Sequence, residues 1–193
     1  LLRATKDLLQ LATHLKMGEA LNEINNWVDL LTTGSQWLWN ETVGGFCARD
    51  IRTGNFSDGI TNASMLCFYA NVGNELQQKK MGAHCERILK KCKYAFPSWD
   101  PEHKSFDKIR YWRGPIWLIM NYMIGKGLKE QGFDMLAKRI IDDTKSLVDE
   151  SGMAEYFDPI EGSPLGGRNF SWTAAIYLEM SSAEGSEQII SNL

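Results

Sequence analysis

The chain has 193 residues, with 21 Lys or Arg against 24 Asp or Glu and a formal net charge of −3. That length suits one domain, or one large piece of a domain. The two signs of charge are mixed along the chain with no basic stripe for a row of phosphates, and no apolar run approaches the roughly 20 residues that cross a bilayer, so neither nucleic acid nor a membrane is an expected partner.

In chain order, Leu1 to Lys16 carries Arg3, Lys6 and Asp7 and reads as an ordinary helix, not a signal peptide. It starts without methionine and in mid-helix, which leads us to expect further residues upstream. The segment near 20–39 sets Leu21, Ile24, Val28 and Leu31 on one stripe opposed by charge, so it is a helix with one wet face. Residues 62–71 differ: Ala63-Ser64-Met65-Leu66-Cys67-Phe68-Tyr69 is apolar nearly all round, as in a helix buried on every side. The stripe returns near 75–93 (Met81, Cys85, Ile88, Cys92) and 133–149 (Leu136, Ile140, Leu147), and the all-round pattern near 115–125 and 169–180. No alternating run of strand character exceeds a few residues, so the expected class is all-α with about seven helices.

Half-exposed and buried helices thus alternate, as two concentric helical rings require. The links out of the buried helices are short, whereas those into them, at 40–61, 94–114 and 150–168, are near twenty residues. Loops that long inside a compact domain are usually functional. All three precede a buried helix, so they share one rim, where a pocket is expected. A bundle with decorative loops, or a helical array that binds another protein, predicts the same periodicity.

The four cysteines, Cys47, Cys67, Cys85 and Cys92, lack CxxC spacing and a His-rich neighbourhood, so no metal is expected. Cys85 and Cys92 are two helical turns apart, too far for a disulfide. Buried free thiols suit a reducing compartment, which points to the cytoplasm. No cofactor motif is present.

The loops carry sugar-binding chemistry. Loop 94–114 holds Phe96, Trp99, Asp100, Phe106, Asp107, Arg110, Tyr111, Trp112 and Arg113, with Trp117 expected on the first turn of the following helix. Aromatic faces suit the C–H face of a pyranose, and planar charged groups suit its hydroxyls. The same residues also mark protein interfaces. Loop 150–168 holds Glu150, Glu155, Asp158, Glu161 and Arg168. Glu155, between Met153-Ala154 and Tyr156-Phe157, can activate a water if something orders that water. It can equally cap a helix or pair with Arg168.

Two strings decide more. Tyr111-Trp112-Arg113-Gly114-Pro115-Ile116-Trp117, and Glu155-Tyr156-Phe157-Asp158-Pro159 followed by Gly166-Gly167-Arg168-Asn169-Phe170-Ser171-Trp172, resemble glycoside hydrolase family 63. The likeness is greatest to its bacterial mannosylglycerate and glucosylglycerate hydrolase branch. Leu38-Trp39-Asn40-Glu41, Asp50-Ile51-Arg52-Thr53-Gly54 and Phe96-Pro97-Ser98-Trp99-Asp100-Pro101 extend it over about residues 35 to 180.

The resemblance implies that residues 1–193 are the C-terminal portion of an (α/α)6 toroid that hydrolyses α-linked glucosides or mannosides with inversion. In inverting enzymes one carboxylic acid protonates the leaving oxygen and a second carboxylate, about 6.5–9.5 Å away, deprotonates water. By motif position Glu155 is the general base and Tyr111, Trp112 and Trp117 line the sugar subsite. Arg113 falls in the same string. The family's general acid, an Asp in a Trp-Asp context in the first half of the toroid, lies ahead of everything in this chain. Trp99-Asp100 sits in a loop of its own and is not expected to replace it.

A chain of this kind is expected to be inactive alone and to pair with a missing N-terminal half or a second copy. Its small-molecule partner would be a saccharide or a glycosyl-glycerate, whose carboxylate Arg110, Arg113 or Arg168 could meet. The competing expectations are a non-catalytic carbohydrate-binding module and a protein-interaction scaffold. A toroidal epimerase would want paired histidines, and His14, His84 and His103 are scattered.

Overall fold

The computed structural model describes residues 1–190, with side chains described through residue 182. The described residues form seven α-helices: α1 (Leu2–His14), α2 (Gly18–Ser35), α3 (Asn62–Ala70), α4 (Glu75–Leu89), α5 (Leu118–Glu130), α6 (Asp134–Ser151) and α7 (Ser171–Ile190). The sequence did not announce two small antiparallel hairpins, β1 (Trp39–Asn40) with β2 (Gly45–Phe46) and β3 (Ala154–Phe157) with β4 (Pro164–Arg168). These strands have two to five residues, too few for a visible period. The fold is mostly helical with two hairpins, and not purely α.

Alternate helices lie side by side, α1 against α3, α3 against α5 and α5 against α7, while α2 packs on α1, α4 on α3 and α6 on α5. Each boundary has a local cause. Thr61 and Ser64 form a capping box at the start of α3, and Asn74 and Gln77 form another at the start of α4. Asn71, in the left-handed region, ends α3 and sets the short turn between them. Met65, Phe68, Met81, Cys85, Ile88, Ile124, Leu128 and Ile140 are buried together between α3, α4, α5 and α6. A second cluster joins Ile116, Leu147, Ala154, Phe157 and Ile176 beneath the β3–β4 hairpin.

The cysteines are free and buried. Burial raises the Cys47 thiol to about 11 and the Cys67 and Cys92 thiols to about 12. Among the described residues no helix is long and apolar enough to cross a membrane.

Two expectations are corrected. Residues 115–117 are extended, not helical, and Trp117 is the N-cap of α5 rather than part of its first turn. Its own backbone amide is thereby left out of the helix, and its ring turns toward the preceding loop. The segment near 169–180 is not buried on every side: Thr173, Ile176 and Met180 are buried, whereas Trp172 and Leu178 are 46% and 65% exposed. That half-exposed state has a counterpart on α1, where Leu8 and Leu11 are also exposed. α1 and α7 are the two ends of the side-by-side series, so among the described residues an apolar face of each has no further helix against it.

Candidate active site

The two motif strings, forty residues apart, are brought together by backbone pairing. The Ile116 amide donates to the Phe157 carbonyl at 2.8 Å, and the Phe157 amide donates to the Ile116 carbonyl at 3.1 Å. Phe157 and Ile116 are both fully buried, so this bridge is anchored in the second core. Loop 94–114 is fixed at its other side by Ser98, whose hydroxyl accepts from the Gly114 amide at 2.9 Å. Gly114 is required there, since a Cβ would lie 2.2 Å from the Asp107 carbonyl oxygen.

Glu155 is therefore a strand residue, not a loop residue. The β3–β4 register is irregular around it, Ala154 pairing with Arg168 and Tyr156 with Leu165. A bulge of this kind re-aims a side chain. Opposite it, Gly166 has φ +70°, and a Cβ on it would sit 2.6 Å from Glu155 Oε2. The freed Gly167 amide donates to that same oxygen at 3.1 Å. Thr173 on α7 secures the strand from behind, its hydroxyl donating to the Ala154 carbonyl at 2.6 Å.

The second oxygen, Glu155 Oε1, accepts from the Tyr111 hydroxyl at 2.7 Å. That hydrogen bond to a carboxylate raises the Tyr111 phenol above its ordinary range. Tyr111 in turn is held by the Trp117 indole, whose Nε1 donates to the Tyr111 carbonyl at 2.9 Å. The rings form a column: Trp112 stacks on Trp117 with centroids 4.4 Å apart and planes at 8°, and Trp117 stacks on Tyr156 at 5.1 Å and 21°. Tyr111 stands edge-on to Trp117 and Tyr156, at 4.8 and 5.1 Å. Trp117 is 3% exposed in the middle of this column, while Tyr111 and Trp112 are 47% and 43% exposed.

Four of the five expected site residues thus meet. Glu155, Tyr111, Trp112 and Trp117 form one hydrogen-bonded, stacked cluster. Arg113 shares the turn but not that network. Its carbonyl accepts from the Asp107 amide at 2.9 Å, and its side-chain Nε is buried without a partner among the described residues. Arg110 and Arg168 are exposed, and Glu155 neither caps a helix nor pairs with Arg168. Composition missed Tyr156, the Gly167 amide and Asn121, whose side chain donates to the Trp117 carbonyl. Tyr156 had a signal, being an aromatic next to the candidate base, whereas the other two depend on a bulge and on helix packing.

The neighbouring carboxylates are already occupied. Asp100, 8% exposed, receives both terminal nitrogens of Arg87, at 3.1 and 2.5 Å. Burial raises its pKa, but the Arg87 hydrogen bonds outweigh that and hold it below the usual carboxylate range. Asp158 is buried, pairs with Lys108 at 3.1 Å and closes its own turn by accepting from the Ile160 amide. His103 contacts Asp58 and stacks edge-on against Trp99, away from Glu155's partners. A groove of about 450 Å³ lies elsewhere, between the β1–β2 turn and α4, lined by Glu41, Lys80, His84 and Arg87. Among the described residues no group of three or more His, Cys, Asp or Glu is placed to hold a metal ion.

Comparison with known proteins gives the family. Residues 1–173 match the mannosylglycerate hydrolase MGH1-like glycoside hydrolase domain. The chain is 36% identical over 176 residues to mannosylglycerate hydrolase MGH1 of Selaginella moellendorffii, covering 91% of this chain and 36% of that protein. It is 35% identical over 176 residues to the mannosylglycerate hydrolase of Thermus thermophilus, covering 91% of this chain and 42% of that one. It superposes with a TM-score of 0.87 on the crystal structure of a GH63 mannosylglycerate hydrolase from Thermus thermophilus in complex with glucose, at 33% identity over 92% of this chain and 45% of that chain. The structure of the same enzyme in complex with Tris and D-glycerate superposes equally, at a TM-score of 0.87. The chain spans less than half the length of each of these relatives. It belongs to the mannosylglycerate hydrolase MGH1-like domain of glycoside hydrolase family 63.

Proposed function

We propose that this chain supplies the general-base half of an inverting α-glycosidase site, with Glu155 as the base and a mannosyl- or glucosylglycerate as substrate. The observation that supports it most is the state of the Glu155 carboxylate. It accepts one hydrogen bond on each oxygen, from neutral donors, Tyr111 and Gly167. A carboxylate offers about four acceptor positions, so lone pairs remain for a water. The two donors fix its rotamer without neutralising its charge, as a base requires.

In this reading the sugar lies against the exposed faces of Tyr111 and Trp112, which Trp117, buried between Trp112 and Tyr156, supports from beneath. A water held between Glu155 and the anomeric carbon loses its proton to the carboxylate as its oxygen attacks from the face opposite the leaving group. The leaving oxygen takes its proton from a carboxylic acid outside residues 1–193, carried by the remainder of the (α/α)6 toroid. Glycerate-containing substrates fit the names of the relatives, and the Arg113 guanidinium is the candidate for the glycerate carboxylate. Without the acid, general acid catalysis worth about 10²- to 10⁴-fold is lost, so the chain alone turns over little or nothing.

The test is complementation. The 193-residue chain is assayed on α-mannosylglycerate and α-glucosylglycerate by itself, and again fused to the part of the Thermus thermophilus hydrolase that lies outside the matched stretch. We expect hydrolysis only from the fusion, and its loss in Glu155→Gln. Robust turnover by the isolated chain, or an active Glu155→Gln fusion, refutes the proposal. Saccharide binding by the chain, lost in Trp112→Ala, with no hydrolysis from any fusion favours a carbohydrate-binding module.

A further inference from the structure

The cluster at Glu155 rests on a side chain that neither motif string contains. Asn121, in the first turn of α5, is completely buried. Its carboxamide oxygen accepts from the Phe96 amide at 2.7 Å, and its nitrogen donates to the Phe96 carbonyl at 2.9 Å and to the Trp117 carbonyl at 3.2 Å. Both amide hydrogens and the oxygen are thus used, two bonds on one residue of loop 94–114 and one on the residue that caps α5. Phe96 is itself fully buried, so its amide and carbonyl have no access to water in place of Asn121.

From Trp117 the connection continues without a break. The Trp117 indole donates to the Tyr111 carbonyl, and the Tyr111 hydroxyl donates to Glu155 Oε1. The Trp117 carbonyl accepts from the Met120 and Asn121 amides, each at 3.1 Å, and the Asn121 side chain at 3.2 Å is the donor that ties this carbonyl to Phe96 as well. We infer that Asn121 is a positioning residue for the candidate base: a buried carboxamide that locks Trp117 against loop 94–114 and so fixes the Tyr111 hydroxyl on Glu155.

This rests on the reading of Glu155 as the base, but its test does not need hydrolysis. The phenol of Tyr111 reports its own hydrogen bond to Glu155, and the difference between the ultraviolet titrations of the unaltered chain and Tyr111→Phe isolates it. In the unaltered chain we expect it to titrate above its ordinary range, raised by the hydrogen bond to the Glu155 carboxylate. In Glu155→Gln it falls toward that range, because the charged acceptor is gone. In Asn121→Leu it falls likewise, although Asn121 touches neither Tyr111 nor Glu155. Asn121→Ala, which leaves room for water at Phe96, is the second variant should the leucine protein fail to fold, and circular dichroism establishes that the helices persist.

A Tyr111 phenol that titrates alike in the unaltered chain and in folded Asn121→Ala or Asn121→Leu overturns the inference and leaves Asn121 a purely structural residue. Inactive fusions with the expected Tyr111 shifts would count against the hydrolase reading alone.

Discussion

Asp100, in loop 94–114, and Glu155, on strand β3, are carboxylates that both stand beside aromatic residues, and they are set up in opposite ways. Asp100 is buried and saturated by a guanidinium, with a backbone amide on the same oxygen. Glu155 is partly exposed and touched only by a phenol and a backbone amide. The difference teaches what distinguishes a structural anion from a candidate base. A carboxylate whose charge is cancelled by a bidentate arginine has little remaining affinity for a proton, whereas one oriented by neutral donors keeps its charge and its free lone pairs.

The sharpest way to break the comparison is to neutralise each group in the complemented enzyme. Glu155→Gln should lower kcat by about 10²- to 10⁴-fold with the fold intact, and Asp100→Asn should leave the chemistry nearly untouched. Similar kinetic losses in the two variants would erase the distinction. Gly166→Ala should come next, because its Cβ would press on Glu155 Oε2 and on the Tyr156 ring at φ +70°. We expect it to lower activity at least about tenfold and to lower the thermal midpoint as well, since a Cβ at positive φ is strained and β3 is anchored in the core through Ala154 and Phe157.

Stability should show the reverse order. Asp100→Asn should destabilise by about 1.5–3 kcal/mol in urea denaturation, the range for hydrogen bonds to a charged group, and Glu155→Gln by less than about 0.5 kcal/mol. The Asp100 contribution should also depend on pH in a definite direction. Its folded pKa lies below the unfolded value of 3.8, so its stabilisation is complete above that value and is lost as pH falls through the folded pKa. The gap between the unaltered chain and Asp100→Asn should therefore narrow between about pH 5 and the most acidic conditions tolerated. A gap that stays constant there would mean that the Arg87 pair does not stabilise the fold.

Much of this architecture was legible in the sequence because it depends on local pattern. The stripes of α4 and α6, the all-round apolar character of α3 and the short turn at Asn71 follow from residues a few positions apart. The two motif strings contain Glu155, Tyr111, Trp112 and Trp117, which meet in space, although composition alone left Glu155 between a base and a paired carboxylate. What remained hidden depends on contacts across the chain. The β3–β4 hairpin is too short and too glycine-rich to show a period, and the bulge that aims Glu155 exists only in the pairing. Trp117 looked helical because apolar residues follow it, yet the Ile116–Phe157 bridge pulls that stretch into extended form. The exposed face of α7 was read as buried because its sequence is apolar on all sides, and this chain provides helices for only part of that surface.

If Glu155 activates the attacking water, a nucleophile that needs no activation should be able to replace that water. In the complemented enzyme Glu155→Gly removes the base and leaves space beside the anomeric carbon, and azide, which needs no deprotonation, can enter it. The account predicts that azide restores consumption of the α-glycoside and that proton NMR identifies the product as the β-glycosyl azide. No rescue in a folded variant, or an α-glycosyl azide, would contradict it.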